Sequence, residues 1–253
     1  MRTSMDRSWM RSDSKSMDDV DKDLNSTDWS VRHTRVLRMD WVPTPEQVER
    51  GLSDYDIDVR KAWVGRMDWT PSQEQVERGV SSSNSEVRIA WVRRMDWTPT
   101  HEQVEDGLND HWRVRHAWVK RMDWTPTPEQ VEVGLDDEYL SVREAWVKRM
   151  DWTPTPEQVE RGLSHPDFGV RIAWLGRMDW TPTPEQVERG LYSLYWDVRL
   201  AWSKRMYWTP TQEQVNTGLN DVSRYVRDAW VERLKMEQEK LLKDDRGLSE
   251  PSL

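Results

Sequence analysis

An all-α solenoid of 28-residue two-helix repeats, seven full repeats behind a degenerate N-terminal capping repeat, is the fold that this sequence predicts. Three observations carry it. Arg-Met-Asp-Trp or a close variant recurs along the chain, with its Met at 39, 67, 95, 122, 150, 178 and 206, so the spacings are 28, 28, 27, 28, 28 and 28. Each copy holds a helix start followed by the segment Val-Arg-x-Ala-Trp, and no stretch sustains the period of two that a half-buried strand needs. A pair of short helices cannot bury its apolar edge alone, so the copies must stack into one continuous core.

Taken in order, residues 1–15 alternate charge with Ser and are expected to form a tail. Residues 16–38 are a worn copy, because shifting Thr44, Val48, Leu52, Val59, Arg60 and Arg66 back by 28 gives Ser16, Val20, Leu24, Val31, Arg32 and Arg38. Thr34-Arg35 replaces its Ala-Trp pair, and its first helix, Met17 to Leu24, is polar, as suits a cap whose outer face meets water. Residues 39–233 hold the seven tandem repeats. The single deletion falls between Leu108 and Val114, where a loop absorbs it. The last repeat is altered, with Tyr207 in place of Asp and Asn216-Thr217 in place of Glu-Arg. Residues 234–253 read as a charged C-terminal capping helix with a tail.

Within a repeat, Thr155-Pro156-Glu157-Gln158 is a helix start: Thr as N-cap, Pro at the first helical position, Glu in the positive first turn and Gln at the capping-box position. Val159 and Leu163 give this helix one apolar edge. Gly162 has two readings, a left-handed helix end or a point of close helix approach. Val170, Ala173 and Trp174 lie at i, i+3 and i+4 and predict a second amphipathic helix. Pro182 and Pro184 stop it from running into the next repeat.

The Val-Arg-x-Ala-Trp segment after an Asp-rich turn, as in Asp54-Tyr-Asp-Ile-Asp-Val-Arg-Lys-Ala-Trp63, resembles the second helix of HEAT-like repeats. It resembles still more closely the leucine-rich repeat variant, in which Val-Arg-x-Ala-Val is followed by a Thr-Pro helix start. The likeness covers about residues 16–233, and the 28-residue spacing exceeds that variant's usual repeat. It implies a right-handed solenoid used for binding. The Thr-Pro-Glu-Gln-Val start with a variable loop after it is also similar to the DNA-reading repeats of plant-pathogen TAL effectors. The chain departs from those in repeat length and charge, and lacks their Gly-Gly-Lys-Gln segment.

Composition narrows function. The 253 residues carry 37 Lys+Arg against 46 Asp+Glu, a net charge of −9, and no Cys, so no disulfide can form. No run is long and apolar enough for a membrane span or a signal peptide, and a soluble, cytoplasmic protein is expected. There is no His-Glu-x-x-His, no Gly-rich phosphate loop and no Cys nucleophile. The expectation is therefore a non-enzyme without catalytic residues, cofactor or metal. The nearest approach to a metal site is Asp110 with His111 and His116. Since HEAT-like folds include alkylpurine DNA glycosylases, fold analogy alone leaves an enzyme as a minority reading.

The 18 Trp, beside 6 Tyr and one Phe, form two recurring sets: Trp41, Trp69, Trp97, Trp124, Trp152, Trp180 and Trp208 at the turn between repeats, and Trp63, Trp91, Trp118, Trp146, Trp174, Trp202 and Trp230 on the second helix. Both are expected in the core. A stacking platform for single-stranded nucleic acid would need a basic groove, against the charge. The second-helix arginines Arg60, Arg88, Arg115, Arg143, Arg171, Arg199 and Arg227 read as a structural ladder, paired with the turn aspartates or with turn carbonyls of a neighbouring layer. The alternative is a phosphate-binding row. Glu46, Glu74, Glu102, Glu129, Glu157, Glu185 and Glu213 read as an acidic ribbon on the first helices, either helix-dipole placement with solubility or an attractor of a basic partner.

Differences between repeats cluster in the loop between the two helices and at the third position of Val-Arg-x-Ala-Trp. Either these sites drift, or each layer contacts a partner differently. Ile57, Trp112, Leu140, Phe168 and Trp196 fill one aligned loop column and can staple the second helix. The partner-binding candidates are the aromatics Tyr55, Tyr139, Tyr192 and Tyr195 outside that column, with Lys61, His111, His116, Glu144 and Asp228. The expected function is a scaffold that binds a protein partner, including a basic one. The alternative is a nucleic-acid-related role, as a DNA- or RNA-binding repeat protein or as an acidic decoy for a DNA-binding protein.

Overall fold

In a computed structural model the chain is described over residues 17–205 and 208–245. The expected tails at 1–15 and 246–253, together with Ser16, Met206 and Tyr207, lie outside the described residues. The described residues form sixteen helices: α1 (Met17–Leu24), α2 (Trp29–Leu37), α3 (Pro45–Leu52), α4 (Ile57–Gly65), α5 (Gln73–Val80), α6 (Ser85–Arg93), α7 (His101–Leu108), α8 (Trp112–Val119), α9 (Pro128–Leu135), α10 (Leu140–Lys148), α11 (Pro156–Leu163), α12 (Phe168–Gly176), α13 (Pro184–Leu191), α14 (Trp196–Lys204), α15 (Gln212–Leu219) and α16 (Arg224–Asp245). The fold is the all-α repeat solenoid that the sequence predicts, one helix pair per 28-residue step. The chain divides into two compact units, residues 1–123 and 124–253.

Local chemistry sets the helix starts. From α3 to α15 every first helix opens with a complete capping box, in which Thr or Ser accepts from the backbone N–H of Gln while that Gln side chain accepts from the cap N–H. Most second helices carry a local cap too: Asp56, Asn84 and Asp167 accept from the first-turn N–H groups of α4, α6 and α12.

In the C-terminal unit each first helix packs on its own second helix, α9 on α10, α11 on α12, α13 on α14 and α15 on α16. The second helices pack on one another in the order α10, α12, α14, α16. The N-terminal unit is built alike, with α2, α4, α6 and α8 as its spine. The second-helix tryptophans are buried in that spine, and each meets the turn tryptophan of its own repeat edge to face, as Trp152 and Trp174 do at 6.1 Å and 83°.

Gly162 lies inside α11, and its helix approaches Trp174 so closely that a Cβ would stand 2.1 Å from the indole Nε1. The same holds at Gly51, Gly79, Gly107, Gly134, Gly190 and Gly218, each against the second-helix Trp of its repeat. Of the two readings for this glycine, close approach is therefore the one realised. The missing side chain makes room for the largest one.

A second arginine row, which the sequence reading left unassigned, locks the layers. Arg177 follows α12 and reaches back to the end of α10. Nη1 donates to the carbonyls of Val147 at 2.8 Å and Arg149 at 2.7 Å, Nη2 to that of Trp152 at 2.7 Å, and Nε and Nη2 to the Asp179 carboxylate. All five N–H donors of the guanidinium are used. The cation also lies over the Trp152 ring, 4.1 Å from its centre. It thus sits at the negative end of the preceding layer's second helix, where carbonyls lack intrahelical partners. Arg66, Arg94, Arg121, Arg149, Arg205 and Arg233 are buried likewise, each 3.8 to 4.3 Å from the centre of a turn tryptophan. The turn aspartates Asp68, Asp96, Asp123, Asp151 and Asp179 pair with this row two residues before them, and the second-helix ladder takes other partners.

That pairing makes stability depend on acid. Hydrogen bonds from Arg66 hold the Asp68 carboxyl below its ordinary value of 3.8, against the opposing pull of partial burial. At Asp179 burial pushes the other way most strongly, but the Arg177 hydrogen bonds and charge outweigh it and the net shift is again downward. A carboxyl depressed in the folded state contributes stability that is present above its unfolded-state value and lost as pH falls through the folded one. Thermal melts are therefore expected to be level near neutrality and to drop as pH falls below about 3.8. A melting temperature unchanged between pH 5 and pH 3 would contradict the pairing.

Candidate partner-binding surface

The loop from first to second helix is where the repeats differ, and its framework is constant. At one loop position Asp54, Asp110, Asp137 and Asp221 stand, with Ser82, His165 and Ser193 in the remaining layers. Whatever the residue, it turns the chain locally. Asp54, Ser82, Asp137, His165, Ser193 and Asp221 each accept from the backbone N–H two residues on, at 2.8 to 3.3 Å.

The second-helix arginines Arg60, Arg115, Arg143, Arg171 and Arg227 donate through Nη1 to a carbonyl of their own loop, as do Arg88 and Arg199 to Ser82 and Ser193. In Arg88 and Arg199 the Nε/Nη2 fork also crosses to the Asp of the next loop. Arg88 grips Asp110 at 2.6 Å through both nitrogens, and Arg199 grips Asp221 at 2.6 and 2.9 Å. In the worn copy Arg32 grips Asp54 at 2.7 and 2.9 Å.

The aromatic candidates sit on this frame. Tyr55 is 73% exposed, donates its hydroxyl to the Thr27 carbonyl at 2.9 Å, and carries Arg32 over its ring at 4.4 Å. Tyr139 and Tyr195 occupy the N-cap positions of α10 and α14 and make no side-chain cap hydrogen bond. Those layers forgo a cap worth about 1 kcal/mol, at a position where α4, α6 and α12 keep Asp or Asn. Tyr192 ends α13 and is exposed.

In the C-terminal unit the loop aromatics meet. Phe168 stacks on Tyr195 at 5.8 Å, and the neighbouring Trp196 lies 5.3 Å from Tyr225. All four are exposed, and Leu194 at 95% and Val222 at 91% project from the same loops. Phe168 and Trp196 belong to the column read as a helix staple, yet both contact the next layer's aromatic residue in the open. Tyr225 was missed by sequence reasoning because it lies one residue past the variable loop, inside α16. Its place in α16 is what brings it to Trp196.

Other candidates are spread more widely. Lys61 bonds Asp58 on its own helix at 3.1 Å. His111 is exposed and accepts from the Arg113 N–H at 3.4 Å, whereas His116 is half-buried in α8. Glu144 holds Lys148 at 3.0 Å and Asp228 holds Arg224 at 3.3 Å. Among the described residues no group of three His, Asp or Glu is arranged to hold a metal ion.

Glu46, Glu74, Glu102, Glu129, Glu157, Glu185 and Glu213 are all exposed in the first helices. At Glu46 and Glu185 a hydrogen bond from the residue's own backbone N–H, then one from the cap Thr, lowers the carboxyl below its ordinary value. These acids thus serve the helix starts as well as the surface. The second glutamate of the repeat is instead tied between layers, Glu160 by Gln186 at 3.0 Å and Arg189 at 2.7 Å.

No family model and no curated protein matches the chain. Among solved structures it is similar to one described as a leucine-rich repeat variant with a novel repetitive protein structural motif, at 21% identity and a TM-score of 0.58, over 85% of this chain and 80% of that one. At that identity the likeness establishes the solenoid fold and nothing about ligands. Among the described residues no helix is long and apolar enough to cross a membrane.

Proposed function

We propose that this protein is a non-enzymatic, cytoplasmic scaffold that holds a protein partner through the inter-helix loops and the exposed second-helix positions. In this reading Phe168, Tyr195, Trp196 and Tyr225 supply the central contact, with Tyr192 and Leu194 beside it. The observation that carries it is the pair of N-cap positions given to Tyr139 and Tyr195: each layer forgoes a stabilising cap in exchange for an exposed aromatic ring, the side chain that most often anchors interfaces. The exposed glutamates Glu129, Glu157, Glu185 and Glu213 of the same unit support a basic partner. In this reading residues 16–38 act as the N-terminal cap and residues 234–253 as a charged C-terminal capping helix with a tail.

The test is affinity capture with mass spectrometry, comparing the full chain with a variant in which Tyr195 and Trp196 become Asp and Ser. A specific protein recovered by the first and reduced at least tenfold with the second is the expected result. Equal recovery would discredit loop-based recognition. Binding of nucleic acid that weakens steeply with salt would replace this reading with the sequence-reader alternative.

A further inference from the structure

Three layers offer the arginine fork no aspartate to cross to: His165 stands in the loop after Arg143, whose Nε has no partner among the described residues, and serine stands in the loops after Arg60 and Arg171. After Arg60 the next loop offers Ser82 where Asp would stand, and after Arg171 it offers Ser193. Each serine keeps the local turn by accepting from the backbone N–H two residues on, at 3.3 Å in both loops, but it is too short to reach the fork. Among the described residues Arg60 hydrogen-bonds only to the Asp54 carbonyl. Arg171 bonds only to the carbonyls of His165 and Pro166, with the Tyr195 ring 4.9 Å away. In both residues the Nε/Nη2 fork, which grips a carboxylate in Arg88 and Arg199, is left over.

A cleft opens at each place. The first, about 330 Å³, is lined by Ser53, Arg60, Gln75, Arg78, Ser81 and Ser82, with Leu52, Val87 and Trp91 as its floor. The second, about 420 Å³, is lined by Ser164, Arg171, Gln186, Arg189 and Ser193. Neither lining contains an acid. The corresponding cleft at Arg88 is lined by Asp106 and Asp110. Arg78 and Arg189 bond Glu49 and Glu160 of the preceding first helix and stay about half exposed, so their remaining donors can turn to the cleft.

We infer that each cleft binds a phosphate monoester dianion, carried on a phosphorylated side chain of a protein partner. The Arg fork would take two phosphate oxygens in the place where Arg88 takes two carboxylate oxygens. The second guanidinium, the hydroxyl of Ser82 or Ser193 and the amide N–H of Gln75 or Gln186 not bonded to Glu49 or Glu160 leave donors that a carboxylate would not use but a third phosphate oxygen would. Two separate small clefts on a chain of net charge −9 suit isolated phosphates, because a polyanion would meet the exposed glutamates as well. That the phosphate belongs to a protein rests on the scaffold reading above; the clefts' chemistry does not.

Arginine Nε–H signals of the full chain, followed by NMR, test both parts. Titration with free phosphoserine is expected to shift Arg60 and Arg171 saturably and to leave Arg88 and Arg199 in place. Ser82→Asp and Ser193→Asp, which install the pairing already present at Arg88 and Arg199, are expected each to weaken the response of their own cleft at least tenfold while melting at the wild-type temperature or above. No shift, an equal shift at Arg88 and Arg199, or unaltered binding in these variants would overturn the clefts as phosphate sites, independently of any partner. With a serine peptide as probe, binding only when it is phosphorylated supports the protein source. A single-stranded oligonucleotide that competes more strongly than the phosphopeptide overturns that source.

Discussion

Replacing Arg177 by Met is expected to destabilise the protein by about 3–5 kcal/mol, the range for breaking a buried charged network by removing one member. The side chain is buried and uses all five donors. Its loss would leave the carbonyls of Val147, Arg149 and Trp152 without their partner, each a group that costs about 1–3 kcal/mol when stranded away from water. Asp179 is partly exposed and would recover some hydration, which keeps the total below the sum. Arg177→Lys is expected to lie between, because an ammonium restores charge but cannot span three carbonyls and a carboxylate from one plane. Urea denaturation provides the measurement, with Arg171→Met as the control. Arg171 donates only to the loop carbonyls of His165 and Pro166 and is expected to cost about 1–2 kcal/mol, two ordinary hydrogen bonds from a partly exposed group. Equal effects at the two positions would show that the layers are not locked through Arg177.

Trp174→Ala is expected to cost a similar amount, about 3–5 kcal/mol for truncating a large buried aromatic, and its partner Gly162 makes the effect diagnostic. Alone, Gly162→Ala would put a methyl group 2.1 Å from the indole nitrogen. The ring is buried in the spine and cannot swing away, so overpacking of about 1–3 kcal/mol is expected. In the Trp174→Ala background that clash is gone, and the same change should be neutral or stabilising by up to about 1 kcal/mol, because Ala is the better helix former. A double-mutant cycle by urea denaturation reads the coupling directly. Additive effects would mean that the glycine does not serve the tryptophan.

The repeat length, the helix starts and the burial of the second-helix tryptophans were legible because each depends on chemistry within a few residues or on a strict period; of the turn tryptophans expected in the core only Trp41 is fully buried, and the other six are half-buried. Thr155 with Gln158 forms a capping box wherever the two stand three apart, and Trp174 falls on the apolar face of any helix begun at Phe168. The candidate surface was legible only in part. Variation marked Tyr139 and Tyr195 as unusual, but their position at the N-cap, which turns an exposed aromatic ring into a forgone cap, required the helix boundary. Phe168 and Trp196 look like staples in one dimension. Their contacts with Tyr195 and Tyr225 come from the next layer, about 28 residues away.

By itself, then, the sequence determined the unit of the fold: two short capped helices with one tryptophan at the turn and one on the second helix, stacked because neither helix can bury its edge alone. Only the tertiary structure decided how one layer holds the next. Arg66 to Arg233 and Arg60 to Arg227 are two arginine rows of the same repeat, equally regular and equally charged. One is buried, with donors committed to backbone carbonyls behind it and, where the turn keeps Asp, to that carboxylate; the other donates to a carbonyl of its own loop, and in Arg88 and Arg199 also grips the Asp of the next loop. That difference is a matter of which carbonyls and carboxylates lie within about 3 Å of a guanidinium. It arises from stacking, so a one-dimensional pattern does not contain it. The same stacking turns Ser82 and Ser193 from ordinary loop substitutions into places where an arginine fork beside a cleft has no carboxylate to grip.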